Sequence, residues 1–165
     1  MEIPNYDSTD DINKKYKQLF PFMPSDTFRM LICGNSGSGK TNLLYHMLIK
    51  PLLHYDEIYL YARNLEQDEY QKLIQKMREL SRRHKNCSVI YLSQSFYKTP
   101  KDIRLNCSHY CLYEFPSSRE ANRISSELGV DKETYKAATK KPFTFLYVDK
   151  PRKRIAKNFT SNLDR

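Results

Sequence analysis

Gly34-Asn35-Ser36-Gly37-Ser38-Gly39-Lys40-Thr41 decides the reading of this chain. The octapeptide fits G-x-x-x-x-G-K-[ST] without a gap, the pattern of a phosphate-binding loop, or P-loop. Three of the chain's four glycines fall inside it. Glycine takes positive φ freely, so successive backbone N–H groups can turn inward onto phosphate oxygens. In that geometry the eight residues cradle a nucleoside triphosphate. Lys40 reaches the β- and γ-phosphates, the Thr41 hydroxyl coordinates Mg²⁺, and the following helix offers its positive end. ATP with Mg²⁺ is the expected ligand.

The surroundings of the octapeptide agree with this. An apolar run, Phe28–Cys33, leads into the loop, and Leu43, Leu44, Met47 and Leu48 give a helix leaving it. Strand, loop and helix in that order are the setting in which a P-loop works. Further runs suited to buried strands are Ile58–Ala62, Val89–Leu92, Tyr110–Phe115 and Phe143–Val148. Between them lie helix signals. Asn64 and Gln67 form a capping pair before the apolar stripe Tyr70, Leu73, Ile74, Met77 and Leu80. Ser117 and Glu120 form a capping box, with Gly129 where a helix would end. Asp131 caps a short helix before Pro142, and Thr99-Pro100 opens a single helical turn. Alternating strands and helices predict an α/β fold, a doubly wound, mainly parallel sheet of about five strands. Residues 1–24 read as an extended arm, residues 25–149 as the P-loop NTPase domain, and residues 150–165 as a mobile basic tail.

The chain has 165 residues, 39% of them hydrophobic and 28% charged, which suits one α/β domain with a real core. No apolar run approaches the roughly 20 residues of a membrane span, and the acidic start MEIPNYDSTDD lacks the pattern of a signal peptide. An intracellular location, in cytoplasm or nucleus, is expected. Cys33, Cys87, Cys107 and Cys111 make no C-x-x-C pair. Cys107, His109 and Cys111 alternate at strand period, but reduced core thiols suit them better than a zinc site. The formal charge is +9, and residues 1–11 hold four acids and no base, so the remainder carries +13. Two basic clusters stand out: Arg78, Arg82, Arg83 and Lys85, then Lys150, Arg152, Lys153, Arg154 and Lys157. Such patches attract polyphosphate backbones, and equally serve as solvated surface.

The stretch Ser88-Val89-Ile90-Tyr91-Leu92-Ser93-Gln94-Ser95-Phe96-Tyr97, continuing through Thr99-Pro100 to Arg104-Leu105-Asn106, carries more specific information. With the P-loop, it resembles the poxvirus-type DNA-packaging ATPases of the FtsK–HerA superfamily of translocation motors. Those proteins carry a similar strand ending in Ser/Thr-Gln, then a Pro-containing turn and an Arg-x-Asn segment. The resemblance spans about residues 28–148. It implies a virus-associated ATPase with non-specific DNA as partner and a homo-oligomeric ring. It also implies that Gln94 senses the γ-phosphate, joining Lys40 among the candidate catalytic residues. Arg104 is a third candidate, either an arginine finger across a ring interface or a partner of Asp102.

One departure from that pattern affects the chemistry. The superfamily places a strand ending in paired acids, the Walker B element, between the P-loop helix and the Gln94 strand. Here Asp56 and Glu57 precede their strand, and a strand-plus-loop segment is missing near Met77–Ser81. Glu114 and Asp149 do end apolar runs, further downstream. ATP binding with impaired hydrolysis is therefore the leading expectation. A small P-loop kinase or other NTPase, and a DNA-binding remnant that does not hydrolyse ATP, are the alternatives.

Overall fold

The computed structural model describes residues 28–49, 88–159 and 161–162. The expected strand Ile58–Ala62, the helix behind Asn64, the Arg78–Lys85 cluster, the break near Met77–Ser81 and the arm 1–24 lie outside the described residues.

Phe28 leads into β1 (Arg29–Cys33), and the P-loop follows at once, running into α1 (Lys40–Ile49). Beyond the undescribed interval come β2 (Val89–Ser93), α2 (Lys101–Asn106) and β3 (His109–Tyr113). Two helices follow, α3 (Ser118–Leu128) and α4 (Lys132–Thr139), then β4 (Phe145–Asp149), β5 (Arg154–Lys157) and β6 (Ser161–Asn162). One sheet takes all six strands in the order β2-β1-β3-β4-β5-β6.

β1 pairs in parallel with both β2 and β3. In a parallel sheet covered on both faces a central strand must be apolar on both sides. Met30 to Cys33 meets that demand, with all four side chains fully buried. Leu31 and Cys33 face one way, onto Tyr110, Leu112 and the α3–α4 residues Ile124, Tyr135 and Ala138. Met30 and Ile32 face the other way, onto Leu44, Met47 and Leu48 of α1 and onto Tyr147 and Phe159. Each fully buried Leu, Ile or Phe stabilises the fold by about 1.5–3 kcal/mol, so β1 anchors both layers.

The α/β class and its parallel centre are those expected. The other half of the sheet is an antiparallel meander. β4 runs against β3, with His109 opposite Asp149 and Tyr113 opposite Phe145, and β5 runs against β4. One expectation is corrected here. The basic tail after Asp149 instead turns at residues 150–153 and returns as β5, held by the buried pair Ile155 and Ala156. And because β4 is reversed, Asp149 lies at the sheet edge remote from the P-loop.

The helix signals take physical form. Ser117 Oγ accepts from the Arg119 N–H, Gly129 ends α3 at φ 64°, and Asp131 accepts from the N–H groups of Glu133 and Thr134. Pro100 caps α2, six residues long where a single turn was expected. Cys107 and Cys111 fall in cores on opposite faces of the sheet. Among the described residues no three His, Cys, Asp or Glu side chains converge as a metal group, and no helix is long and apolar enough to cross a membrane.

Candidate nucleotide site

The loop from Gly34 to Gly39 leaves the C-terminal end of β1, the edge where ligands bind in open α/β sheets. Gly37 and Gly39 have φ of 75° and 94°, the left-handed region that lets the chain curl back. The curl is closed by the Ser38 N–H on the Asn35 carbonyl (3.2 Å) and the Leu43 N–H on the Gly39 carbonyl (2.8 Å). Gly34 is required for another reason. A Cβ there would meet Tyr113 Cβ at 2.6 Å and Ser38 Oγ at 2.7 Å, so only glycine lets the loop lie down on β3. Asn35, Ser36 and Gly37 are exposed, and space above Gly37 is open.

Lys40 opens α1, and its Nζ reaches back over the loop to the Asn35 carbonyl (2.6 Å) and Ser38 Oγ (3.5 Å). The ammonium thus spans the cradle mouth. Burial lowers its pKa below the usual lysine range, with Cys33 opposing the shift. Thr41 follows in the first helical turn, half-buried, where N–H groups have no helical acceptor. A loop curled through positive φ, a positive helix end and a lysine reaching back over the loop suit a triphosphate with its metal.

Gln94 joins this edge through the register of the sheet. Cys33 lies opposite Ser93, and the Gly34 N–H donates to the Ser93 carbonyl at 3.1 Å. Gln94 therefore borders the first loop residue, and it is exposed. The turn carrying it is tied down locally. Ser93 Oγ donates to the Ser95 carbonyl (3.0 Å) and accepts from Thr99 Oγ1 (2.8 Å). Glu120, nearly buried on α3, accepts from Ser95 Oγ and from the Tyr97 N–H at 2.7 Å. Its expected capping role is replaced by this one, which no helix signal reveals, because the partners lie more than twenty residues away.

Arg104 does not fit the finger role and does not pair with Asp102. It is 5% exposed, and its guanidinium forms a two-pronged pair with Glu127 at 2.8 Å on each prong. The same group donates to the carbonyls of Phe96, Tyr97 and Thr99 and covers the Phe96 ring. It shapes the turn behind Gln94 and has no free donor face to offer another subunit.

The two downstream acids part company. Asp149 is 1% exposed beside His109 Nε2 (3.5 Å) and Arg152, at the far edge. Glu114 follows β3 at the P-loop edge and is exposed. Its neighbours are pinned by one hydroxyl, since Tyr135 Oη donates to the Tyr113 carbonyl (2.7 Å) and accepts from the Phe115 N–H (3.1 Å). A further residue at this rim is Phe143, whose Cδ1 would lie 3.3 Å from a Cβ built on Gly39. The sequence places it at the start of a buried strand, Phe143–Val148, but β4 begins only at Phe145 and Phe143 is exposed in the turn before it. The basic turn Lys150–Lys153 sits at the far edge with Asp149, where Lys150 Nζ lies 4.9 Å from the Tyr110 ring centre.

Comparison with known proteins finds one family match and a likeness of fold. Residues 14–78 match the model of the poxvirus A32 protein family, a segment that includes the P-loop and stops short of the Ser93–Asn106 stretch. Among curated proteins no sequence relative is found. The genome packaging NTPase B204 of Sulfolobus turreted icosahedral virus 2, solved with ATP-gammaS, is 15% identical at a TM-score of 0.53. That likeness covers 79% of this chain and 96% of the other. The same protein solved with AMPPCP gives 16%, 0.52, 82% and 98%. B204, the DNA-packaging ATPase of Sulfolobus turreted icosahedral virus, gives 15%, 0.52, 81% and 97%. This chain is thus similar to the poxvirus A32 protein family in the segment that carries its P-loop, and to the B204 packaging NTPases in its fold.

Proposed function

We propose that this chain binds ATP with magnesium in the loop 34–41 and serves a DNA-packaging motor, hydrolysing ATP far more slowly than an intact packaging motor does. The observation that carries this reading is the loop itself: a positive-φ curl roofed by Lys40, at the carboxyl edge of β1, with Gln94 beside it. Backbone N–H groups and Lys40 would hold the phosphates, and the Thr41 hydroxyl would hold the metal. Bound magnesium supplies charge neutralisation along the phosphates. Gln94 stands where an amide can touch the γ-phosphate or orient a water.

Slow hydrolysis follows from the acids. Asp149 is at the other end of the sheet, which leaves Glu114 as the described acid that ends an apolar strand at the P-loop edge. Cradle binding needs neither residue, so affinity and turnover separate. The solved likenesses named for DNA packaging, and the family match, support the motor over a kinase. DNA would be held through phosphate contacts with Lys150, Arg152, Lys153 and Arg154 of the second basic cluster, at the edge away from the nucleotide, and a ring of copies would encircle it.

Turnover by the purified chain, with and without duplex DNA, tests this. Slow hydrolysis that DNA stimulates supports the motor. Phosphate transfer to a small acceptor, or DNA binding without any turnover, contradicts it. DNA affinity should fall steeply with salt as counterions are released.

A further inference from the structure

Lys141-Pro142-Phe143-Thr144 forms the turn between α4 and β4. The Thr144 N–H donates to the Lys141 carbonyl at 3.2 Å, and Thr144 Oγ1 donates to the same carbonyl at 2.6 Å. Proline at the second position and a φ of 60° at the third are the marks of a type II turn. The third position of such a turn normally takes Gly or Asn, because a Cβ is disfavoured at positive φ. Here it holds a bulky aromatic.

Burial does not offset that strain. Phe143 is 72% exposed, more so than Tyr97 (42%) or Leu105 (49%), the other exposed large hydrophobics among the described residues. Its place is determined by the reversal of β4. Phe145 opposes Tyr113, so the turn before β4 rises at the P-loop edge. A Cβ built on Gly39 would find Phe143 Cδ1 at 3.3 Å and Tyr113 Oη at 3.9 Å. Thus a strained, solvent-facing ring stands against the last glycine of the phosphate cradle. Strain kept at such a place points to function.

We infer that Phe143 is the stacking face for the base of the nucleotide whose phosphates lie in the loop 34–41. This rests on the nucleotide-binding reading above and adds to it the residue that contacts the base. A triphosphate anchored in the loop leaves its ribose and base projecting past the rim. An aromatic face there removes the base's apolar surfaces from water and stacks on its π-system. The alternative occupant is a neighbouring copy of this chain.

The test compares Mg-ATP with Mg-tripolyphosphate, which has the phosphates and no base, by calorimetry on the full chain. Phe143→Ala and Phe143→Gly should weaken ATP by roughly five- to 150-fold, the usual range for loss of one base–aromatic stack, and leave tripolyphosphate unchanged. Phe143→Trp should restore ATP affinity. Phe143→Gly should melt no lower than the parent, because it relieves the positive-φ strain, so its loss of affinity cannot be ascribed to unfolding. Equal weakening of both ligands would mean that the ring only shapes the loop and would overturn the inference. Unchanged ATP affinity with altered self-association would overturn it in favour of a subunit contact. A parent that binds neither ligand would instead sink the nucleotide reading itself.

Discussion

Ser93 lies directly opposite Cys33 in the parallel pair of β1 and β2, and its carbonyl accepts the Gly34 N–H at 3.1 Å. One backbone hydrogen bond thus joins the end of the Gln94 strand to the first residue of the P-loop. Gln94→Ala should lower turnover by on the order of a hundredfold, as loss of one well-placed polar group does, with Mg-ADP affinity unchanged. Steady-state kinetics beside ADP titration checks this. Unaltered turnover would return Gln94 to a loop-shaping role.

Arg104 gives a contrasting prediction. Its removal leaves Glu127 without its paired guanidinium and three carbonyls without a donor, so Arg104→Ala should cost about 3 kcal/mol or more of stability, the range for breaking a buried pair. Denaturant unfolding measures it. A variant with parental stability and abolished turnover would reinstate the finger.

The acids separate in one experiment. Asp149→Asn should keep ATP affinity and turnover at the parental level while lowering the melting temperature, because its carboxylate accepts the Arg152 N–H and faces His109 at the far edge. Glu114→Gln should reduce whatever turnover exists, with ATP still bound. Turnover lost in Asp149→Asn alone would contradict the placement of β4.

Stability should also depend on His109. Burial, the larger effect, holds its pKa below the ordinary histidine value, Asp149 pulls it back up, and Arg152 lowers it further. Ser108 Oγ, Phe28 and Tyr147 complete its surroundings. The unfolded chain therefore takes up this proton at higher pH than the folded one. Stability falls as pH drops through the ordinary histidine range and keeps falling until the folded pKa is reached. Melting temperatures between about pH 7 and 5 should decline less in His109→Gln than in the parent. Equal declines would remove His109 from the account.

What the sequence disclosed was mostly local. The P-loop, the caps at Ser117 and Asp131 and the αL stop at Gly129 follow from neighbouring residues, and they were legible. Strand direction was not. Phe145 to Asp149 is equally apolar whichever way it runs, and only pairing with β3 sends Asp149 to the far edge and Phe143 to the near one. β5 was hidden because Arg154 and Lys157 flank only two buried residues, Ile155 and Ala156. By sequence Arg104 offers an arginine finger or a partner for Asp102, and Glu120 a helix cap with Ser117. Their partners come from segments brought together by the fold, so their part in holding the Gln94 turn emerges from tertiary structure.

If the loop 34–41 holds the phosphates of ATP with Lys40 across them, removing the lysine charge must weaken ATP binding. Calorimetric titration of the parent chain and of Lys40→Ala with Mg-ATP measures that loss. The parent should bind saturably, and the variant should lose most of that affinity. Equal affinity in the two proteins, or no binding by the folded parent, would contradict it.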